Sequence, residues 1–369
     1  MSEIKKKYES VHYTDYLQLK KVLDAQHLRS PEHGEAAHDE MLFIIIHQVY
    51  ELWFKEVIHD LSSIMEMFRN DNVDENNIGT AVHRLNRITE ILQVLVKQID
   101  VLETITPLDF LDFRNYLFPA SGFQSFQFRK VEVALGLKEK YRETYNNIPY
   151  ATVFSEQESK ELHDLENADS MLQLIEKWLE RTPFLHRNDF LFLEAYKKAV
   201  DNMLDKERQA IDATDYLTAA EKQMRMNMLG STDTFFASVL DENKHNEMLN
   251  KGALKLSYKA TLGALFINLY RDEPILQMPF QLLSKLVDID ELLTTWRYRH
   301  AQMVLRIIGR KIGTGGSSGF DYLLNTAIKH HIFFDLHNIS TLMIPRSELP
   351  VLPDHLKKQL SFYFTTGNK

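Results

Sequence analysis

The sequence predicts an all-α fold, and three observations carry that prediction. Its 369 residues include only 13 glycines and 10 prolines, where average usage gives roughly 44 of the two together. Turn-rich β architectures need those residues, so their scarcity favours long helices. Apolar side chains recur at spacings of three and four over several long stretches. No segment alternates apolar and polar residues between turn signals, so no substantial sheet is expected.

Taken in chain order, Leu42, Ile46, Val49, Trp53, Val57 and Leu61 form the first apolar stripe, with Glu51, Lys55, Glu56 and Asp60 between them. That is the pattern of a long amphipathic helix. Ile78, Val82, Leu85, Leu92, Leu95, Ile99 and Leu102 repeat it in the next segment. Ser155 and Glu158 have the spacing of a capping box, with Phe154 placed to staple it. The helical stretch that follows runs to Arg181 and stops before Pro183, because the residue before a proline avoids the α region. Leu293, Trp296, Met303 and Ile307 mark another long helix that ends in a glycine cluster. Residues Gly136 to Gly252 are rich in charge, with runs such as that from Ser155 to Glu161. They read as a helical insertion, either a subdomain or a solvated arm, in one large domain spanning residues 1–369.

Composition narrows the function. The chain has 43 basic and 52 acidic side chains, a net charge of −9, which argues against a surface built for nucleic-acid phosphates. The longest apolar run, Met41 to Ile46, falls far short of the roughly 20 residues that span a bilayer. Met-Ser-Glu-Ile-Lys-Lys-Lys at the start lacks the apolar stretch of a signal peptide. A soluble, cytoplasmic protein with no membrane partner is expected. With no cysteine in the chain, disulfides, thiolate zinc sites, iron–sulfur clusters on cysteine and cysteine nucleophiles are excluded.

Three constellations could carry chemistry. Phe43 and His47 lie four apart on one helical face, and Tyr50 and Phe54 continue it. A histidine in such company is by default a hydrogen-bonded core residue. The alternative is an imidazole that orients a flat ligand in an apolar pocket. In the second, Phe110 and Arg114 share a face, and Phe113, Tyr116 and Phe118 stand near them. Such an arginine either pairs with Asp109 or Asp112, or forms a bidentate clamp for a substrate carboxylate. Pro119-Ala-Ser121-Gly122 should end that helix and expose backbone donors and the Ser121 hydroxyl.

The third constellation is His300, on the apolar face with Trp296, Met303, Val304 and Ile307. It is either structural or an axial haem ligand, one imidazole on a rigid helix with a greasy surround. Arg299, Arg306 and Arg310 would then offset propionate charge, or else form a solvated basic face. The glycines from Gly309 to Gly319 are not a phosphate loop, since Phe320-Asp321 follow where Lys-Ser/Thr is needed. A loop closing over a ligand through Thr314 and Ser317, or a plain connection, remains. Tyr13 and Tyr16 would share a helical face and pack on a core or a neighbouring subunit. No His-Glu-x-x-His occurs, and the adjacent His330 and His331 point apart and make a poor ligand pair.

Together these segments resemble the tryptophan 2,3-dioxygenase family. The matching stretches are His38 to Lys55, Asp112 to Ser125 and Trp296 to Gly319. Shorter pieces at Leu256–Ala260, Phe333–Leu336 and Ile344–Arg346 also match. The resemblance implies a helical haem-binding fold and a haem b cofactor. It implies an enzyme that inserts O2 across the indole C2–C3 bond of L-tryptophan, giving N-formyl-L-kynurenine as the first step of the kynurenine route. His300 becomes the axial haem ligand, and His47 the distal, catalytic histidine that meets the indole N–H. Phe43 lines the indole pocket, and Arg114 clamps the carboxylate with Phe110 beside it in the substrate site. Thr314 contacts the ammonium and carboxylate, while Ser121 and Gly122 form the distal turn near oxygen. Tyr13 and Tyr16 are implied to reach a neighbouring subunit's pocket in a homotetramer. A haem enzyme of the same fold acting on another indole, or a haem-based sensor, are the alternatives.

Overall fold

Our computed structural model describes residues 10–70, 73–142, 150–187, 190–311 and 319–361. Two short helices, α1 (Tyr13–Tyr16) and α2 (Leu19–Leu23), lead into the long α3 (Glu40–Phe68) and α4 (Glu75–Leu102). Then come α5 (Pro107–Arg114), α6 (Phe126–Leu135), α7 (Glu156–Asn167) and α8 (Met171–Glu180). The charged middle continues with α9 (Phe192–Ala213), α10 (Ala219–Val239) and α11 (Glu242–Asn250). After α12 (Tyr258–Leu269) comes α13 (Gln277–Ile308), the longest at 32 residues, and the chain closes with α14 (Phe320–Lys329), α15 (Phe334–Asn338) and α16 (Asp354–Leu360). The all-α expectation holds. Strand structure among the described residues is a two-residue antiparallel pair, β1 (His186–Arg187) with β2 (Phe190–Leu191). None of the described helices is long and apolar enough to cross a membrane.

The predicted stripes bury as the helical period requires. On α3 the buried positions Ile46, Tyr50, Phe54, Val57, Leu61, Ile64 and Phe68 step by three and four along one face. Against them lie Ile78, Leu85, Ile88, Leu92, Leu95 and Ile99 of α4, and α13 packs along α4. Two residues placed between the apolar positions of α3 are not on a solvated face. Asp60 is buried and accepts hydrogen bonds from Arg87 of α4 at 3.1 and 3.3 Å, a partner that offsets its desolvation. Glu51 faces an internal cavity.

Local chemistry sets the helix ends. Ser155 and Glu158 do form the predicted capping box. The ring of Phe154, just before that start, packs 5.8 Å from Phe126 of α6. The predicted run to Arg181 is also two helices, since α7 stops at Asn167 and Ser170 opens α8 with a second box to Gln173. A serine oxygen that satisfies the first free amides favours starting a new helix there. The helix of Arg114 ends sooner than expected, at Arg114 itself, and one 3-10 turn (Asn115–Leu117) precedes the Pro119 turn. In contrast α13 begins well before Leu293 and ends where glycine predicted, with Gly309 at φ +63°.

The charged middle is anchored in the same core. Met171, Leu174, Ile175 and Leu179 of α8 are buried against α12, and Phe192 of α9 meets Phe266 edge-on at 5.2 Å. Water reaches the tip between α9 and α10, where Tyr216 is 96% exposed. The α8–α12 contact depends on Gly263. A Cβ there would sit 2.5 Å from the Leu179 carbonyl oxygen and 2.8 Å from Thr182 Oγ1. Alanine is the better helix former by about 1 kcal/mol, but the backbone oxygen cannot rotate away, so the clash wins. Gly263→Ala should lower stability by about 1–3 kcal/mol, read as a reduced denaturation midpoint; an unchanged midpoint would show that the two helices can part freely.

Candidate functional site

A cavity of about 280 Å³ opens between two walls. One wall is α3, α5, α6 and the Ser121–Gly122 turn; the other is α13 and α14, and Ile99 and Leu102 of α4 contribute apolar surface. Its deep end is aromatic. Trp296 packs against Phe128 at 4.9 Å, Tyr50 at 6.0 Å and Phe54 at 6.2 Å, and stacks on His300 at 5.5 Å. Toward the α5 side Phe43 meets Phe110 at 5.8 Å and Phe113 at 5.5 Å.

Of the three imidazoles that line this cavity, His47 and His300 lie on opposite walls, and their electrostatics differ from ordinary surface histidines. The Nδ1 of His47 lies 2.6 Å from the carbonyl oxygen of Phe43, one turn back on α3. Only an N–H can bond a carbonyl, so Nδ1 carries the proton and Nε2 keeps a lone pair toward the cavity. His47 has free surface there, yet protein surrounds it on most sides. Burial therefore pushes its pKa below the usual histidine range, against an opposing pull from the Phe43 carbonyl. His300 is pushed down to about 4 by burial and by the charge His47 would carry. No hydrogen bond to either of its ring nitrogens occurs among the described residues. Both rings are neutral at pH 7, and His300 offers an uncommitted lone pair.

That donor set suits one kind of metal centre. No group of three His, Cys, Asp or Glu side chains that could hold a bare ion occurs among the described residues. Iron in a porphyrin brings four nitrogen ligands and needs only one from the protein. A neutral imidazole without a partner, set in an aromatic and aliphatic cavity, fits that need.

Arg114 lies on the cavity wall with Phe110, Ser121 and Gly122. Asp109, a candidate partner for it, closes the capping box of α5 with Thr106. Ser121 accepts from the Phe123 amide, and its own amide donates to Gln124 Oε1 at 3.1 Å, so this turn is held by its own side chains. Arg299, Arg306 and Arg310 do not line the cavity. Arg299 pairs with Asp100 at 2.8 Å and Glu103 at 3.3 Å, and Arg310 with Asp321 at 3.6 Å.

The match to the family model described as tryptophan 2,3-dioxygenase runs over residues 2–343. The chain belongs to that family. It is similar to tryptophan 2,3-dioxygenase of Bdellovibrio bacteriovorus, 48% identical over 97% of this chain and all of the relative. It is also similar to the protein of that name from Dictyostelium discoideum, 48% identical over 96% of this chain and 89% of the relative. The mouse protein is 45% identical over 94% of this chain and 86% of its own length.

Of the residues that resemblance to the tryptophan 2,3-dioxygenase family singles out, Phe43, His47, Phe110, Arg114, Ser121, Gly122 and His300 line this one cavity. Thr314 and Ser317 lie outside the described residues. Tyr13 and Tyr16 on α1 do not line the cavity of their own chain and are 69% and 73% exposed. His330 and His331 do point apart, one lining the cavity and the other facing Asp290 at 3.5 Å.

Sequence reasoning missed a charged group on the cavity wall. Glu132 of α6 is 1% exposed and takes Arg129 at 2.6 Å, Arg142 at 2.7 Å and Arg297 at 2.8 Å. Burial alone would raise its pKa, but the three guanidinium charges outweigh it and hold the carboxyl well below the usual range. A lone glutamate inside Val131-Glu132-Val133-Ala134-Leu135 was the available signal. Its partners, one of them 165 residues away, were not.

Proposed function

We propose that this chain is a haem-dependent dioxygenase converting L-tryptophan and O2 to N-formyl-L-kynurenine, as expected of the tryptophan 2,3-dioxygenase family. The observation that carries the reading is the pair of neutral imidazoles across one apolar cavity, with an arginine on its wall. His300 would hold the iron of haem b, and the bound haem would supply the oxygen chemistry, with both atoms of O2 entering the product. The protein's own part is to bind, orient and exclude water.

His47 Nε2, an acceptor by its tautomer, matches the indole N–H, a donor. Phe43 and Phe110 offer flat apolar surface to the ring, and Arg114 offers a planar fork to the carboxylate. The Ser121–Gly122 turn borders the space where oxygen would bind. Thr314 is assigned to the ammonium and carboxylate, and Tyr13 and Tyr16 to a neighbouring subunit's pocket, on the family resemblance. Their exposure on α1 suits that assignment and a homotetramer. The same reading takes residues 1–369 as one helical domain, with 136–252 as an insertion rooted through α8, acting in the cytoplasm without nucleic acid or membrane.

The defining experiment is to reconstitute the chain with hemin, reduce it without air, then add L-tryptophan and O2. Absorbance of N-formylkynurenine is expected. A chain that refuses hemin, or turns over no tryptophan once loaded, overturns the proposal. Arg114→Met separates the clamp from the rest. Charge-assisted bonds contribute about 1.5–3 kcal/mol each, so loss of a bidentate pair should lower kcat/KM by at least roughly 100-fold. Unchanged turnover would remove Arg114 from the substrate site.

A further inference from the structure

The mechanism leaves one acid on the cavity wall without a task. Glu51 sits one helical turn beyond His47 on α3 and lines the same cavity. Its Oε1 accepts a 2.6 Å hydrogen bond from the hydroxyl of Ser125, which in turn caps α6 by accepting from the Phe128 amide. A second hydrogen bond to Glu51 is absent among the described residues. Burial pushes the carboxyl above its ordinary range, against the lowering by Ser125. The other charged and titratable groups facing the cavity are His47 and Tyr50 on α3, Arg114 on α5, Arg129 and Glu132 on α6, and Tyr322 on α14. Arg297 and His300 face it from α13, and His330 from the end of α14. From α4 only Ile99 and Leu102 take part, and from α8 none of the described residues. Arg129 and Arg297 are committed to Glu132, so no ion pair among the described residues holds Glu51 in its charged form.

We propose that Glu51 is the acid whose protonation is coupled to the electron on the cofactor iron. It rests on the haem reading above. An external one-electron reductant supplies the electron, the ferric centre loses one positive charge, and the Glu51 carboxylate takes one proton from solvent. The physical reason is mutual. A carboxylate in a cavity of low dielectric stabilises the ferric charge more strongly than the ferrous one, so its proton affinity rises on reduction. The bland role, anchoring the Ser125 cap, predicts only a change in stability.

The test is potentiometric titration of the hemin-loaded wild type, Glu51→Gln and Glu51→Asp across neutral and mildly acidic pH, followed by the haem spectrum. Wild type should show a potential that falls as pH rises through the Glu51 titration. Glu51→Gln should have a higher potential at neutral pH and lose that part of the slope, while Glu51→Asp keeps a slope. Taking the difference between variants cancels the propionates, His47 and His330, which titrate in all three. Coincident or merely parallel profiles overturn the proposal, including the case where Glu51→Gln only melts earlier. If Glu51→Gln does not load, Glu51→Asp is compared with wild type, and a profile that coincides with wild type at every pH overturns the coupling. Should the wild type itself form no hemin complex, the haem reading fails first, and that outcome is recognised before any variant is made.

Discussion

Replacing His300 by alanine should yield a folded protein that no longer retains hemin. The ring contributes little to the fold: it makes no hydrogen bond among the described residues, and its stack on Trp296 is one of several that hold that indole. Alanine is also the best helix former, and position 300 lies within a 32-residue helix. Truncation enlarges an existing cavity, so the loss should stay near the low end of about 2 kcal/mol for such changes. Binding is affected quite differently. With no thiolate in the chain and no cluster of other ligands among the described residues, iron loses its only proposed protein bond. The measurement is hemin titration followed by the Soret band, beside far-UV circular dichroism to verify the helices. Added imidazole should restore a ligated spectrum by filling the space left by the ring. A wild-type Soret band in the alanine variant without imidazole would remove His300 from the iron.

Glu132→Gln should be the most damaging single change to stability. One carboxylate stands among three guanidinium groups on Arg129, Arg142 and Arg297, and each side chain is at least 89% buried. Glutamine keeps the shape and removes the charge, so three cations face one another without an anion. Leaving buried charge uncompensated costs about 3–5 kcal/mol, and here more than one partner is stranded. Because Arg129, Glu132 and Arg297 line the cavity, hemin retention should fall together with the unfolding midpoint. The pH dependence has a definite sign. Glu132's folded pKa lies below its unfolded value, so its contribution is complete above about pH 4.5 and fades as pH falls through the folded value. The glutamine variant should lack that acid-dependent part. Equal stability of the two proteins at pH 7 would mean that the cluster is already compensated from elsewhere.

Much of the molecule was legible in the residue order, because helices are local. Periodic apolar residues predicted α3, α4 and the end of α13, and Ser155 with Glu158 predicted a helix start. The single helix to Arg181 failed because Ser170 and Gln173 repeat the same capping chemistry fifteen residues on, a signal present and passed over. The site was partly legible. Phe43 and His47 share a face by spacing alone, as do Phe110 and Arg114, and their function became readable only through resemblance to a family.

What the residue order determined by itself was helix content, which faces are apolar, and the absence of any thiolate ligand. Those follow from side-chain phase within a turn and from composition, with no need of distant contacts. Tertiary structure decided the rest. It set His47 and His300, on helices far apart in the chain, around one cavity, where the surrounding protein lowers both pKa values. It also gathered Arg142 and Arg297 onto Glu132 and turned Glu51 inward. Desolvation and charge pairing depend on what surrounds a group in space, and that is defined only once the helices have packed.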